Sequence, residues 1–206
     1  MLISRFKFFA SVLCVGLAMA GQVQAGPIPY PNAGLENTTQ YTFTASSTGN
    51  ITAYFYALSG ASYTNEVTML VNGVASGNQG LNNHTSSPGD ALVLGAVNAG
   101  DTIVFEMINL SPGGIGPWYS NTALNSDGRN HIYSTDFTGL LGSTSVSGTY
   151  VGFEDLTGGG DFNYRDEQFV FTNVTTSVPE PGSLALLGIG LAGLGAVRRR
   201  KQRASA

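Results

Sequence analysis

The chain has 206 residues, with nine basic and thirteen acidic side chains, a formal net charge of −4, 28 glycines and one cysteine. A lone cysteine excludes an internal disulfide framework and a thiolate metal site. Only Arg129 and Arg165 fall between residues 26 and 177, where twelve acids leave a lysine-free stretch at −10; nucleic acid and anionic membranes are poor partners for it, and cations are good ones.

The first 25 residues read as a secretory signal peptide. Arg5 and Lys7 make a basic start, residues 8–20 are apolar, and small residues offer cleavage after Ala20 or after Ala25. Cys14 lies inside this segment, preceded by Leu13 rather than the small residue a lipid-attachment site would want. Residues 26–38 (GPIPYPNAGLENT) follow as an irregular leader.

From residue 39 to 177 the texture is all-β: short apolar-aromatic runs rich in Thr and Tyr, broken by Gly, Asn, Ser and Pro. Strands are expected at 40–45, 51–58, 66–71, 91–97, 102–109, 131–137, 149–153 and 167–173. Alternation puts Tyr41 with Phe43, Ile103 with Phe105 and Met107, and Phe169 with Phe171 on shared faces. Asn72-Gly73 and Asn98-Ala99-Gly100 supply turn signals. About 150 residues suffice for one domain with a sizeable core. The number and spacing of the runs predict a single β-sandwich, jelly-roll-like.

Chemistry concentrates in GFEDLTGGGDFNYRDEQFVF, residues 152–171. Five acids (Glu154, Asp155, Asp161, Asp166, Glu167) crowd within 14 residues around Gly158-Gly159-Gly160, and Arg165 can offset one. Such crowding needs neutralisation. Calcium takes six to eight oxygen ligands, which Asp, Glu, Asn and the carbonyls of a glycine loop supply. The candidate ligands are Glu154, Asp155, Asp161, Asn163 and Asp166. The segment is not an EF-hand, because Arg165 stands where an oxygen donor belongs.

This stretch resembles an uncharacterised domain common in exported bacterial proteins. The resemblance rests on Phe153-Glu154-Asp155-Leu156, Gly159-Gly160, Asp161, Tyr164 and Asp166 before the apolar run Phe169-Val170-Phe171. Asn163 stands where that pattern has Asp, and Arg165 where it has Asn. The resemblance implies a calcium-binding β domain and no transferable activity. Residues 118–131 also look like this domain, where such a loop precedes a His-bearing strand. Asn125, Asp127 and His131 are further candidates for an ion site or polar patch, and Trp118 and Tyr119 offer ring faces to a sugar. The competing reading is an Asx-type turn at residues 125–128 and a Trp that covers one end of the sandwich.

The last segment is an address. Val178-Pro179-Glu180-Pro181 precedes a 15-residue uncharged run, 183–197, which ends in Arg198, Arg199, Arg200, Lys201 and Arg203. That run spans roughly 22 Å as a helix, short of a roughly 30 Å hydrocarbon core, and the basic cluster marks a cytoplasmic end. Together the three parts, residues 178–203, resemble the PEP-CTERM sorting signal. The resemblance implies transient inner-membrane anchoring by a short transmembrane helix, processing by an exosortase, and delivery to the cell surface or the exopolysaccharide matrix. Gly188, Gly190 and Gly193 spell a dinucleotide fingerprint by chance, since no strand precedes them. His84 and His131, 47 residues apart, make weak zinc ligands.

These readings converge on an exported, non-catalytic surface or matrix module, stabilised by calcium, processed by signal peptidase and exosortase, and associated with exopolysaccharide in a biofilm. A carbohydrate-binding adhesin or lectin is one alternative. A polysaccharide-cleaving hydrolase is another, and it would need two carboxyl groups roughly 5–10 Å apart.

Overall fold

The apolar runs become eleven strands among residues 28–178, the stretch of the chain that the computed structural model describes, Gly77 excepted. In chain order they are β1 (Thr42–Ala45), β2 (Gly49–Phe55), β3 (Asn65–Val71), β4 (Val74–Ala75), β5 (Ala91–Val97), β6 (Thr102–Asn109), β7 (Trp118–Tyr119), β8 (Ile132–Leu141), β9 (Thr144–Phe153), β10 (Glu167–Thr172) and β11 (Val174–Ser177). One sheet runs β11-β1-β6-β3-β4, with β7 added on β6; the other runs β5-β2-β10-β9-β8. Every pairing is antiparallel. The expected two-sheet sandwich is present.

Period-two alternation explains the core. Ile103, Phe105 and Met107 on β6 point inward, as do Phe169 and Phe171 on β10, and all are buried. Phe105 stacks on Phe171 across the two sheets with centroids 3.6 Å apart. Burying side chains of this size stabilises by about 1.5–3 kcal/mol each. Val170, between the two phenylalanines, faces the other way. It joins Tyr56, Phe137, Leu141, Val146 and Tyr150 in a second apolar cluster on the outer face of its sheet, against which Ile28 packs.

Residues 28–38 form no strand or helix, but they are tied to the sandwich. Tyr30 packs on Tyr133 and Tyr164. Asn37 donates to the Ile132 carbonyl at 2.9 Å, and Glu36 pairs with Arg129 at 2.6 Å.

Three short strands, β4, β7 and β11, exceed the eight expected, and β8 and β9 form one ten-residue hairpin. Its turn at Gly142-Ser143 uses a left-handed Gly142 (φ 58°), where a Cβ would lie 2.7 Å from the Pro88 carbonyl oxygen. The segment expected to be a signal peptide, and the sorting residues Pro179, Glu180, Pro181, Arg198, Arg199 and Arg200, lie outside the described residues; Val178 follows β11 and is exposed.

Candidate metal centre

The connection between β9 and β10 contains the acidic segment, and strand register decides which of its acids meet. Glu167 pairs with Phe153. Antiparallel pairing therefore places Asp166, immediately before β10, beside Glu154 and Asp155, immediately after β9. Both ends of the loop are pinned. The Asp166 amide donates to the Phe153 carbonyl at 3.0 Å, and the Glu154 amide to the His131 carbonyl at 2.9 Å.

One oxygen from each of Glu154, Asp155 and Asp166 fits within a 4.8 Å group. Glu154 and Asp155 are 1% and 3% exposed. Asp155 accepts from the Asn65 side-chain amide at 2.9 Å, and Asp166 accepts from the Asp155 backbone amide at 3.1 Å. Glu154 Oε2 is buried with no hydrogen-bond partner. Burial, followed by the Asp166 carboxylate, pushes Glu154 up to about 9. The same two causes push Asp155 up to about 6, and burial raises Asp166 although the Asp155 amide opposes it. Among the described residues no cation is paired with the trio, since the two salt bridges there join Arg129 to Glu36 and His131 to Asp127. An oxygen-only donor set with an unpartnered buried oxygen fits a hard divalent cation such as calcium.

Glycines close the loop. Gly158, Gly159 and Gly160 all have positive φ, and a Cβ at Gly160 would lie 2.4 Å from Glu154 Oε1. Tyr164, also left-handed (φ 54°), is buried and accepts from the Asn37 amide at 2.7 Å.

The remaining sequence candidates separate. Asp161 is exposed and accepts from both the backbone and side-chain amides of Asn163. Its charge still reaches the trio, contributing to the raised Glu154 and Asp166. Asn163 also accepts from the Arg165 amide at 2.8 Å; together these bonds form a local turn. Asn125 is fully used as a clip. Its Oδ1 accepts from the Tyr119 amide, and its Nδ2 donates to the Tyr119 and Arg129 carbonyls.

Asp127 supports the loop from outside the trio. It meets His131 Nε2 at 3.1 Å and accepts from the Gly158 amide at 2.7 Å. Burial alone would raise it, but the Arg129 and Gly158 amides and the His131 ring outweigh burial and hold it below the ordinary aspartate range. His131 is fully buried, and its Nδ1 donates to the Glu154 carbonyl at 2.8 Å.

Trp118 is 1% exposed, so it presents no face to a sugar. It stacks on His131 at 3.8 Å, and its indole N–H donates to the Asp155 carbonyl at 2.9 Å. The covering role, not the sugar platform, describes it. Tyr119 beside it is half-buried, so the pair offers no double platform.

Glu167 is the acid the sequence left without a role. It is fully buried on the inward face of β10, and neither carboxylate oxygen has a partner. Burial, then the charges of Glu66 and Asp155, hold it well above the usual glutamate range. Strict alternation with Phe169 and Phe171 was the signal that could have found it.

Residues 177–201 match the PEP-CTERM protein-sorting motif, and residues 74–173 match a domain of unknown function (DUF4114). The second match begins at β4, whereas β1, β2 and β3 are integral to both sheets, so the folded unit is larger than the matched segment. No curated protein and no solved structure matches the chain. The sorting motif implies an exported protein, anchored transiently in the membrane and processed by an exosortase.

Proposed function

From a chain in which an export-sorting motif follows a sandwich with three converging carboxylates, we propose a non-catalytic exported module stabilised by calcium at Glu154, Asp155 and Asp166. The observation that carries this reading is the unpartnered, buried Oε2 of Glu154, a residue grouped with two further carboxylates. A buried carboxylate without a partner is costly unless it is protonated or bound to a cation. Calcium supplies that cation and accepts an all-oxygen set. Asp161, exposed at the rim, adds negative potential rather than a first ligand.

A hydrolase needs one carboxyl reachable by substrate and a second placed to act on water or the sugar. Glu154 and Asp155 are both closed off from solvent, which favours the structural role. After signal peptidase and exosortase processing, the module would reside at the cell surface or in an exopolysaccharide matrix.

The test uses the full chain in detergent. Trp118 is the sole tryptophan and bonds to Asp155, so its fluorescence reports directly on the site. Calcium should shift that emission and raise Tm, magnesium should do so more weakly, and chelation should reverse both changes. Emission and Tm indifferent to calcium would sink the reading.

A further inference from the structure

Asp166 also lines a groove of about 610 Å³, together with Asp161, Asn163, Arg165, Leu58 and Leu140. This volume lies within the usual range for small-molecule sites. The domain has two arginines, and they are used differently. Arg129 is paired with Glu36, whereas no carboxylate among the described residues lies within ion-pair distance of Arg165, despite its acidic neighbours. Arg165 is exposed and lines the groove with its guanidinium unpaired by any carboxylate among the described residues, so it is open to an anionic ligand.

We propose that this groove binds a carboxylated sugar, a hexuronate unit, with its carboxylate on Arg165 and its hydroxyls on the acidic rim. The chemistry selects this class in three steps. Arg165 presents a planar fork that suits a carboxylate. The carboxylates of Asp161 and Asp166 keep acceptor capacity beyond the amides they already bind, which vicinal hydroxyls can fill and a second carboxylate cannot. Leu58, 59% exposed, and Leu140 add apolar surface to the groove for the C–H face of a sugar ring. The inference rests on the calcium reading of the trio, because an ion beside Asp166 lowers the repulsion that an anionic ligand would otherwise meet.

The experiment measures binding of trigalacturonate to the full chain in detergent by calorimetry, in calcium and in chelator. Neutral galactotriose and tri-aspartate serve as comparisons. Trigalacturonate should bind in calcium alone, and both comparisons should fail. Arg165→Gln should weaken it by about tenfold or more, the value of one charge-assisted bidentate contact. The same substitution should leave the calcium-dependent rise in Tm intact or larger, since it removes a cation from beside the ion. A retained or enlarged rise separates a ligand contact from a folding defect. If calcium raises Tm but trigalacturonate does not bind, binds equally in chelator, or is matched by either comparison, the groove assignment is overturned while the calcium reading stands. An unchanged Arg165→Gln affinity overturns it too. If calcium leaves Tm and Trp118 emission unaltered, the calcium reading fails first and takes this one with it.

Discussion

Glu154 is the side chain on which the proposed dependence on an ion turns. Its carboxyl is buried beside two others and is held near 9, so at neutral pH without metal it keeps its proton. Glu154→Gln copies that neutral form in shape and hydrogen-bonding capacity but cannot become an anionic ligand. Metal-free Tm should therefore stay close to wild type, while calcium affinity falls by about two orders of magnitude, or about 2.7 kcal/mol. Asp161→Ala should keep most of the calcium-dependent rise, because its exposed carboxylate turns toward Asn163. Scanning calorimetry of the two variants with and without calcium checks both; equal losses would place Asp161 among the ligands. The sequence marked the acids of this segment as one group. It could not divide them, because Glu154, Asp155 and Asp166 meet only through the Phe153–Glu167 register, which pattern alone does not set. Trp118 was ambiguous for a similar reason: a lone aromatic before a polar loop suits a lid or a platform, and only its stacking on His131 decides.

At the level of elements, the long strands were legible and the short ones were not. β5 and β6 begin and end where the apolar runs do. Half of the β8–β9 hairpin was hidden because residues 139–148 (GLLGSTSVSG) are dominated by Gly and Ser, which read as turn until ten register pairs hold them extended. β11 was hidden by Asn173, a left-handed residue (φ 63°) at the corner where the chain changes sheets. Its side chain accepts from Ser46 and Ser47 and donates to the Ser47 carbonyl, locking the corner. The leader behaves as a strap despite having no regular structure. Asn37 is buried, donates to Ile132 and Tyr41, and accepts from the Thr39 amide. Asn37→Ala should cost about 1–3 kcal/mol, with each kcal/mol lowering Tm by roughly 2–4 °C at this size. A thermal melt unchanged by the substitution would mean that the leader only rests on the sheet.

For the whole molecule, the raised carboxyls fix the sign of a pH response. Glu154 and Asp155 bind protons more tightly when folded, at about 9 and about 6, than when unfolded, where both titrate near 4. The folded state therefore holds more protons across that window. Stability from these groups is complete below about pH 4 and is lost as pH rises through about 6 and then about 9. In chelator, Tm should fall between pH 5 and pH 9. In calcium the carboxylates are already ionised and compensated, so the fall should flatten, and calcium binding at pH 7 should release about one proton from Glu154. Melts across pH in the two conditions, with calorimetry in buffers of different ionisation enthalpy, check the sign and the proton count. A Tm that rises with pH in chelator would contradict the assignment of these groups as buried and neutral.

The end of the sandwich also has a mechanical meaning. The sorting motif begins at Ser177, the last residue of β11, so the matched sorting segment and the folded domain share that residue. β11 is an edge strand held by four register pairs to β1, from Ala45–Val174 to Thr42–Ser177, with Thr176 also reaching Thr149 in the opposite sheet. Flow or crowding that drags the domain away from a fixed C-terminal end loads those four pairs first. Pulled along the strand, they share the force in shear; pulled sideways, they unzip in succession from Ser177. For a domain held at its C-terminal end, the direction of pull thus sets how much force it withstands before β11 peels away.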